Sequence, residues 1–129
     1  MYLNMLKQEE KSAFYSLAHA LAVSHEGISE AEHNVLNSTL QEMGISKPAQ
    51  LLDVKEACTV FVSNASKRIA LLELLLIALV DDDFADDEET MVSKIVDYFG
   101  FDTSNIDRAA SWAESILAGH RSGLRFIQG

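Results

Sequence analysis

The stretch IALLELLLIALVDDDFADDEE, residues 69–89, runs twelve nearly unbroken apolar residues straight into seven carboxylates within the next nine. Glu73 alone interrupts the apolar part. Side chains such as Leu74, Leu75, Ile77 and Ala78 are not left in water by a soluble domain, and the run is too long for a strand. It therefore predicts the central helix of a bundle, whose last turn delivers negative charge to one place.

The rest of the chain agrees with an all-α reading. One proline, six glycines and apolar stripes at three-and-four spacing in 129 residues predict a single-domain helical bundle of about six main helices. The first spans about Gln8 to Ser24, with Phe14, Leu17, Ala18, Leu21 and Ala22 on one face. The second opens at Ser29, where Ser29-Glu30-Ala31-Glu32 has the capping-box spacing, and closes at Gly44. Ser46 and Pro48 predict the start of a third, with Leu51, Val54, Cys58, Phe61 and Val62 as its stripe. The fourth is expected from about Ser66 to Asp81, and the fifth from about Asp86 to Phe99 with Gly100 as its stop. The sixth follows Thr103 and Ser104, with Ile106, Ala109, Ala110, Ala113, Ile116 and Leu117 inward, Trp112 at its edge and Gly119 as its end.

Bulk properties narrow the function. A net charge of −10 repels nucleic acid and anionic lipid and favours cations or basic protein partners. The apolar run is too short to span a bilayer, the first residues show no signal-peptide core, and the lone Cys58 suits a reducing compartment, so a cytoplasmic location is expected. On its apolar stripe Cys58 reads as a core residue rather than a nucleophile. Ser16, Ser24 and Ser111 read as helix-surface or capping residues, and His19 and His120 as surface or edge groups. With no nucleophile-and-base pair and no phosphate loop, the expectation is a non-enzymatic protein.

Sliding the chain on itself by 56 residues lays His25–Ser46 over Asp81–Asp102 without a gap. Ile28 meets Phe84, Glu32 meets Glu88, and Gly44 meets Gly100. The matched pattern of helix, anionic turn, capped helix and glycine predicts two three-helix halves, about 8–64 and 66–119, related by a pseudo-twofold axis. The segment 120–129 is a short basic tail, with Arg121 and Arg125 beside Leu124, Phe126 and Ile127. It either folds back on the bundle or serves as a contact for a partner or a second copy.

Helical spacing separates the carboxylates. His25 continues the stripe of Ala18, Leu21 and Ala22, as Asp81 continues that of Leu74, Ile77 and Ala78. Glu32 precedes Val35 and Leu36 by three and four residues, as Glu88 precedes Met91 and Val92. His25, Glu32, Asp81 and Glu88 thus form a candidate metal site of one imidazole and three carboxylates, suited to magnesium, calcium, manganese or zinc. The competing reading makes Glu32 and Glu88 ordinary helix caps and uses Asp82, Asp83, Asp86, Asp87 and Glu89 as a face that docks a basic partner. Asp81-Asp82-Asp83 is no EF-hand, because Ala85, Asp86 and Val92 stand where a ligand, a glycine and the bidentate glutamate are required. Glu30 and His33 have a di-iron-type spacing, but neither lies on the buried stripe and the other half has no copy.

The two turns, Ser24-His25-Glu26-Gly27-Ile28-Ser29-Glu30-Ala31-Glu32 and Val80-Asp81-Asp82-Asp83-Phe84-Ala85-Asp86-Asp87-Glu88, resemble the paired Ala-Asp-Gly-x-Ile-Ser-x-x-Glu motif of the tellurite-resistance TerB-like family. The resemblance extends from about Phe14 to Leu117. It implies an all-helical, internally duplicated domain, association with a divalent metal through the positions of His25, Glu32, Asp81 and Glu88, and a place in cytoplasmic stress-response or membrane-peripheral complexes. The chain departs from the motif where His25 replaces an acid and where Glu26 and Asp82 replace the glycine.

Overall fold

The computed structural model describes residues 1–23, 30–79 and 86–129, and for residues 86–88 and 103 the backbone alone. All regular secondary structure among the described residues is helical, without strands. A 3-10 turn, Leu3–Met5, leads into α1 (Gln8–Ala22), α2 (Glu30–Met43), α3 (Val54–Val60), α4 (Asn64–Leu79), α5 (Asp86–Phe99) and α6 (Thr103–Gln128).

The core lies where α1 and α4 meet. α1 contributes Ala13, Phe14, Leu17, Ala18 and Leu21, and α4 contributes Ala70, Leu71, Leu74, Leu75 and Ala78, all essentially out of water. α1 also packs on α2, α3 and α5, and α4 on α5 and α6. Phe99 of α5 links the layers, edge-on to Phe61 at 5.6 Å and to Phe101 at 5.9 Å. Ser63 accepts the Ser66 backbone N–H at 3.1 Å, which caps α4 and starts it slightly earlier than its spacing predicts.

α2 and α5 match the 56-residue offset at both ends. Each has 14 residues, and each ends in a left-handed glycine, Gly44 at φ +68° and Gly100 at φ +78°. The closing bonds correspond as well: Gly44 N–H to Gln41 O at 3.1 Å and Ile45 N–H to Leu40 O at 3.2 Å, against Gly100 N–H to Asp97 O at 3.0 Å and Phe101 N–H to Val96 O at 3.1 Å. This paired C-terminal lock satisfies carbonyls that the helix leaves open.

The structure corrects three expectations. The third helix does not start at Ser46 or Pro48. It is a short element capped by Asp53, whose carboxylate accepts the Glu56 N–H at 2.8 Å, and Leu51 and Val62 stay exposed. Tertiary docking overrides the proline signal, because the Leu52 N–H donates to Ser16 Oγ at 3.0 Å and fastens this segment to α1. Ser16 is accordingly buried, not a surface serine. The sixth helix does not stop at Gly119, nor does the tail fold back. α6 runs through Gly119 and Gly123 to Gln128, because a glycine ends a helix only where the chain turns left-handed, and neither does so.

Candidate functional site

Of the four candidate ligands, the structure describes two in part. Glu32 is the third residue of α2 and is half-buried, ahead of half-buried Val35 and buried Leu36. Glu88 is the third residue of α5, with its side chain outside the description, ahead of half-buried Met91 and buried Val92. Both therefore occupy first turns, where carboxylates interact favourably with the free backbone amides and the helix dipole. His25 and Asp81 lie outside the described residues, as do Asp82 and Asp83 of the acidic face. Glu89 of that face is exposed. Among the described residues, no three of His, Cys, Asp and Glu come together in a group that could hold a metal ion. The donor set itself, three carboxylates and an imidazole, fits a divalent cation, with its oxygen majority favouring the harder ions.

Other reactive groups are accounted for by packing. Cys58 is buried, and desolvation pushes its thiol up to about 12, so it carries no thiolate at neutral pH. Burial lowers the pKa of His19, and the positive field of Lys47 and the nearby His33 add to that, so the surroundings favour the neutral ring. Glu30 and His33 are both exposed, consistent with their place off the core stripe. No helix among the described residues is long and apolar enough to cross a membrane.

An acidic arrangement that sequence reasoning missed lies elsewhere. Glu73, in the middle of the apolar run, has a side chain only 7 % exposed, and its Oε1 accepts from the Met1 ammonium at 2.8 Å and from the Tyr2 N–H at 2.7 Å. Glu42 of α2 joins it, its Oε2 accepting from Met1 at 2.8 Å and from the Leu3 N–H at 3.3 Å. Leu3 and Leu6 are buried beside them, and the Tyr2 ring lies 5.8 Å from that of Trp112. The first residues thus form a strap that links α2, α4 and α6. Its signal in the sequence was Glu73 itself, since a carboxylate inside an apolar helix requires a cation or donors from somewhere else.

A family model described as tellurite resistance protein TerB matches residues 6–111. No curated protein and no solved structure matches the chain.

Proposed function

The chain belongs to the tellurite resistance protein TerB family, and from that premise we propose that it is a non-enzymatic module that binds one divalent cation through His25, Glu32, Asp81 and Glu88. The observation that carries the reading is the correspondence of α2 and α5: equal length, an exact offset in sequence and the same glycine lock. It puts Glu32 and Glu88 at equivalent first-turn positions, each seven residues after one further candidate donor, His25 or Asp81. In this reading the two halves repeat each other about a pseudo-twofold axis, and each supplies two ligands. Three carboxylates gathered this way repel one another, and a cation offsets that repulsion. Buried Cys58, with its thiol out of reach of ionisation, supports a binding role rather than a catalytic one. In this reading the module works within a cytoplasmic, stress-related protein assembly, a role supported by the family's description and by the acidic composition.

A second reading draws on the exposure of Glu89 and the net charge of −10. There the acidic start of α5 docks a basic protein partner without metal, and Glu32 and Glu88 act only as caps.

Calorimetric titration with magnesium, calcium, manganese and zinc tests the first reading. It is expected to show saturable heat with a stoichiometry of one for at least one ion, lost in the Glu32→Gln/Glu88→Gln double variant. Absence of heat with all four ions, together with an unchanged melting temperature, rejects it in favour of the second.

A further inference from the structure

We propose that the projecting end of α6 docks into the groove between α2 and α4 of a second copy of this chain, and that the two copies exchange these ends reciprocally.

The argument begins with length. α6 has 26 residues and α4, the helix it packs against, has 16, which correspond to roughly 39 and 24 Å at the α-helical rise. α6 is buried at Ala109 and Ala113 and half-buried at Ile116 and Leu117, and from Ala118 onward every residue is exposed. The apolar stripe does not end there. Leu124 follows Leu117 by seven residues and Ile127 follows Leu124 by three, so the face that packs on α4 continues past the bundle and stays exposed there. Ile127 is 79 % exposed, and Phe126 is 88 % exposed. This end also lies outside residues 6–111, the part that the family model matches.

Charge and shape select the occupant. Residues 120–129 contain Arg121 and Arg125 and no acidic side chain, so the side chains of residues 1–119 are more negative in sum than the −10 of the whole. The groove encloses about 360 Å³, with an apolar wall that includes Val35, Leu76, Ile77 and Leu117 and carboxylates from Glu42 and Glu73; no lysine, arginine or histidine among the described residues lines it, and the Met1 ammonium offsets one of the two negative charges. Glu42 already accepts from the Met1 ammonium through Oε2, but it keeps 40 % of its side chain exposed, which leaves room for a guanidinium as a second partner. An apolar strip bearing arginines thus complements an apolar groove bearing carboxylates, whereas two such strips laid together would oppose like charges.

The tail cannot reach its own groove. Leu117 lines the groove and is the last half-buried residue of α6, and the helix then continues without a turn to Gln128. Each end therefore leaves from the rim of its own groove and travels away from it. A twofold operation that brings two rims together places each end over the partner's groove, a closed isologous contact.

Sedimentation and light scattering of the full chain at micromolar concentration test this with two variants. Leu124→Ser/Ile127→Ser removes the apolar strip, and Ser38→Arg sets a positive charge on the exposed groove rim of α2. Wild type is expected to be a dimer, and each variant alone a monomer with unchanged helicity, its dissociation constant raised roughly tenfold or more. An equimolar mixture of the two variants is expected to form a heterodimer, because one intact tail still meets one intact groove. A monomeric wild type overturns the proposal, as does a dimer that survives either variant. So does a mixture that stays monomeric, or a monomeric wild type whose tail instead binds vesicles of anionic phospholipid.

Discussion

Replacing Leu74 by alanine is expected to lower stability by about 3–4 kcal/mol, whereas the same change at Leu76 costs about 1 kcal/mol. The two leucines belong to one apolar run and differ only in direction. Leu74 is fully buried at the junction of α1 and α4, while Leu76 is half-buried along the groove beside α2. Truncation at Leu74 removes transfer free energy and leaves a cavity between two packed helices, and at Leu76 water fills the space. A domain of this size is stable by roughly 5–15 kcal/mol, so Leu74→Ala removes a large share of the total. Urea denaturation checks this through a lowered midpoint at unchanged slope. Equal losses at the two positions would mean that α4 is not oriented as described.

The second large effect is expected at Glu73. Glu73→Ala leaves the Tyr2 N–H without its acceptor and the Met1 ammonium with Glu42 alone, and should cost about 2 kcal/mol. The figure is held down because the ammonium remains half-exposed and can be hydrated. Glu73→Gln keeps a carbonyl acceptor and is expected to cost less. Trp112, the one tryptophan in the chain, reports the event, since release of Tyr2 exposes its ring and should shift its emission to the red.

The same contact depends on pH. Partial burial acts to lower the pKa of the Met1 amine, but its hydrogen bonds to Glu42 and Glu73 and their negative charges outweigh this, and the pKa stands above its ordinary 8.0. A group whose pKa is raised by folding contributes fully below its unfolded value, and that contribution disappears as pH climbs through the folded value. The strap should therefore hold at pH 7 and weaken on alkaline titration above about pH 8. Glu73→Ala should show a smaller loss, because only Glu42 then holds the ammonium. An alkaline stability profile identical in wild type and variant would show that the ammonium does not support the fold.

Local signals account for the parts of this fold that are legible in the sequence. α2 and α5 can be read residue by residue because Gly44 and Gly100 mark their ends and the apolar stripes of Leu36 and Met43, or Val92, Ile95 and Phe99, mark their faces. Cys58 reads correctly as a core residue for the same reason. α3 does not, because the bond from Leu52 to Ser16 joins residues 36 apart and outweighs the local preference of Pro48. The strap is invisible for a stronger version of that reason, since Glu73 meets its donors across 71 and 72 residues. Gly119 misleads because glycine lowers helix propensity by only about 1 kcal/mol, which the flanking helix formers absorb. Of the candidate site, the register of Glu32 and Glu88 is legible from capping and stripe, while His25 and Asp81 fall outside the described residues.

Cation binding at the paired turns is tested most directly by thermal melting of wild type and of the Glu32→Gln/Glu88→Gln variant, with the bound ion and with excess chelator. At a hundredfold excess of ion over its dissociation constant, the bound ion stabilises the native state by about 2.7 kcal/mol. Chelator should therefore lower the melting temperature of wild type and leave the double variant unmoved. Melting curves unchanged by chelator in both proteins, with the variant as stable as wild type or more so because charge repulsion is relieved, would contradict the account and leave Glu32 and Glu88 as helix caps.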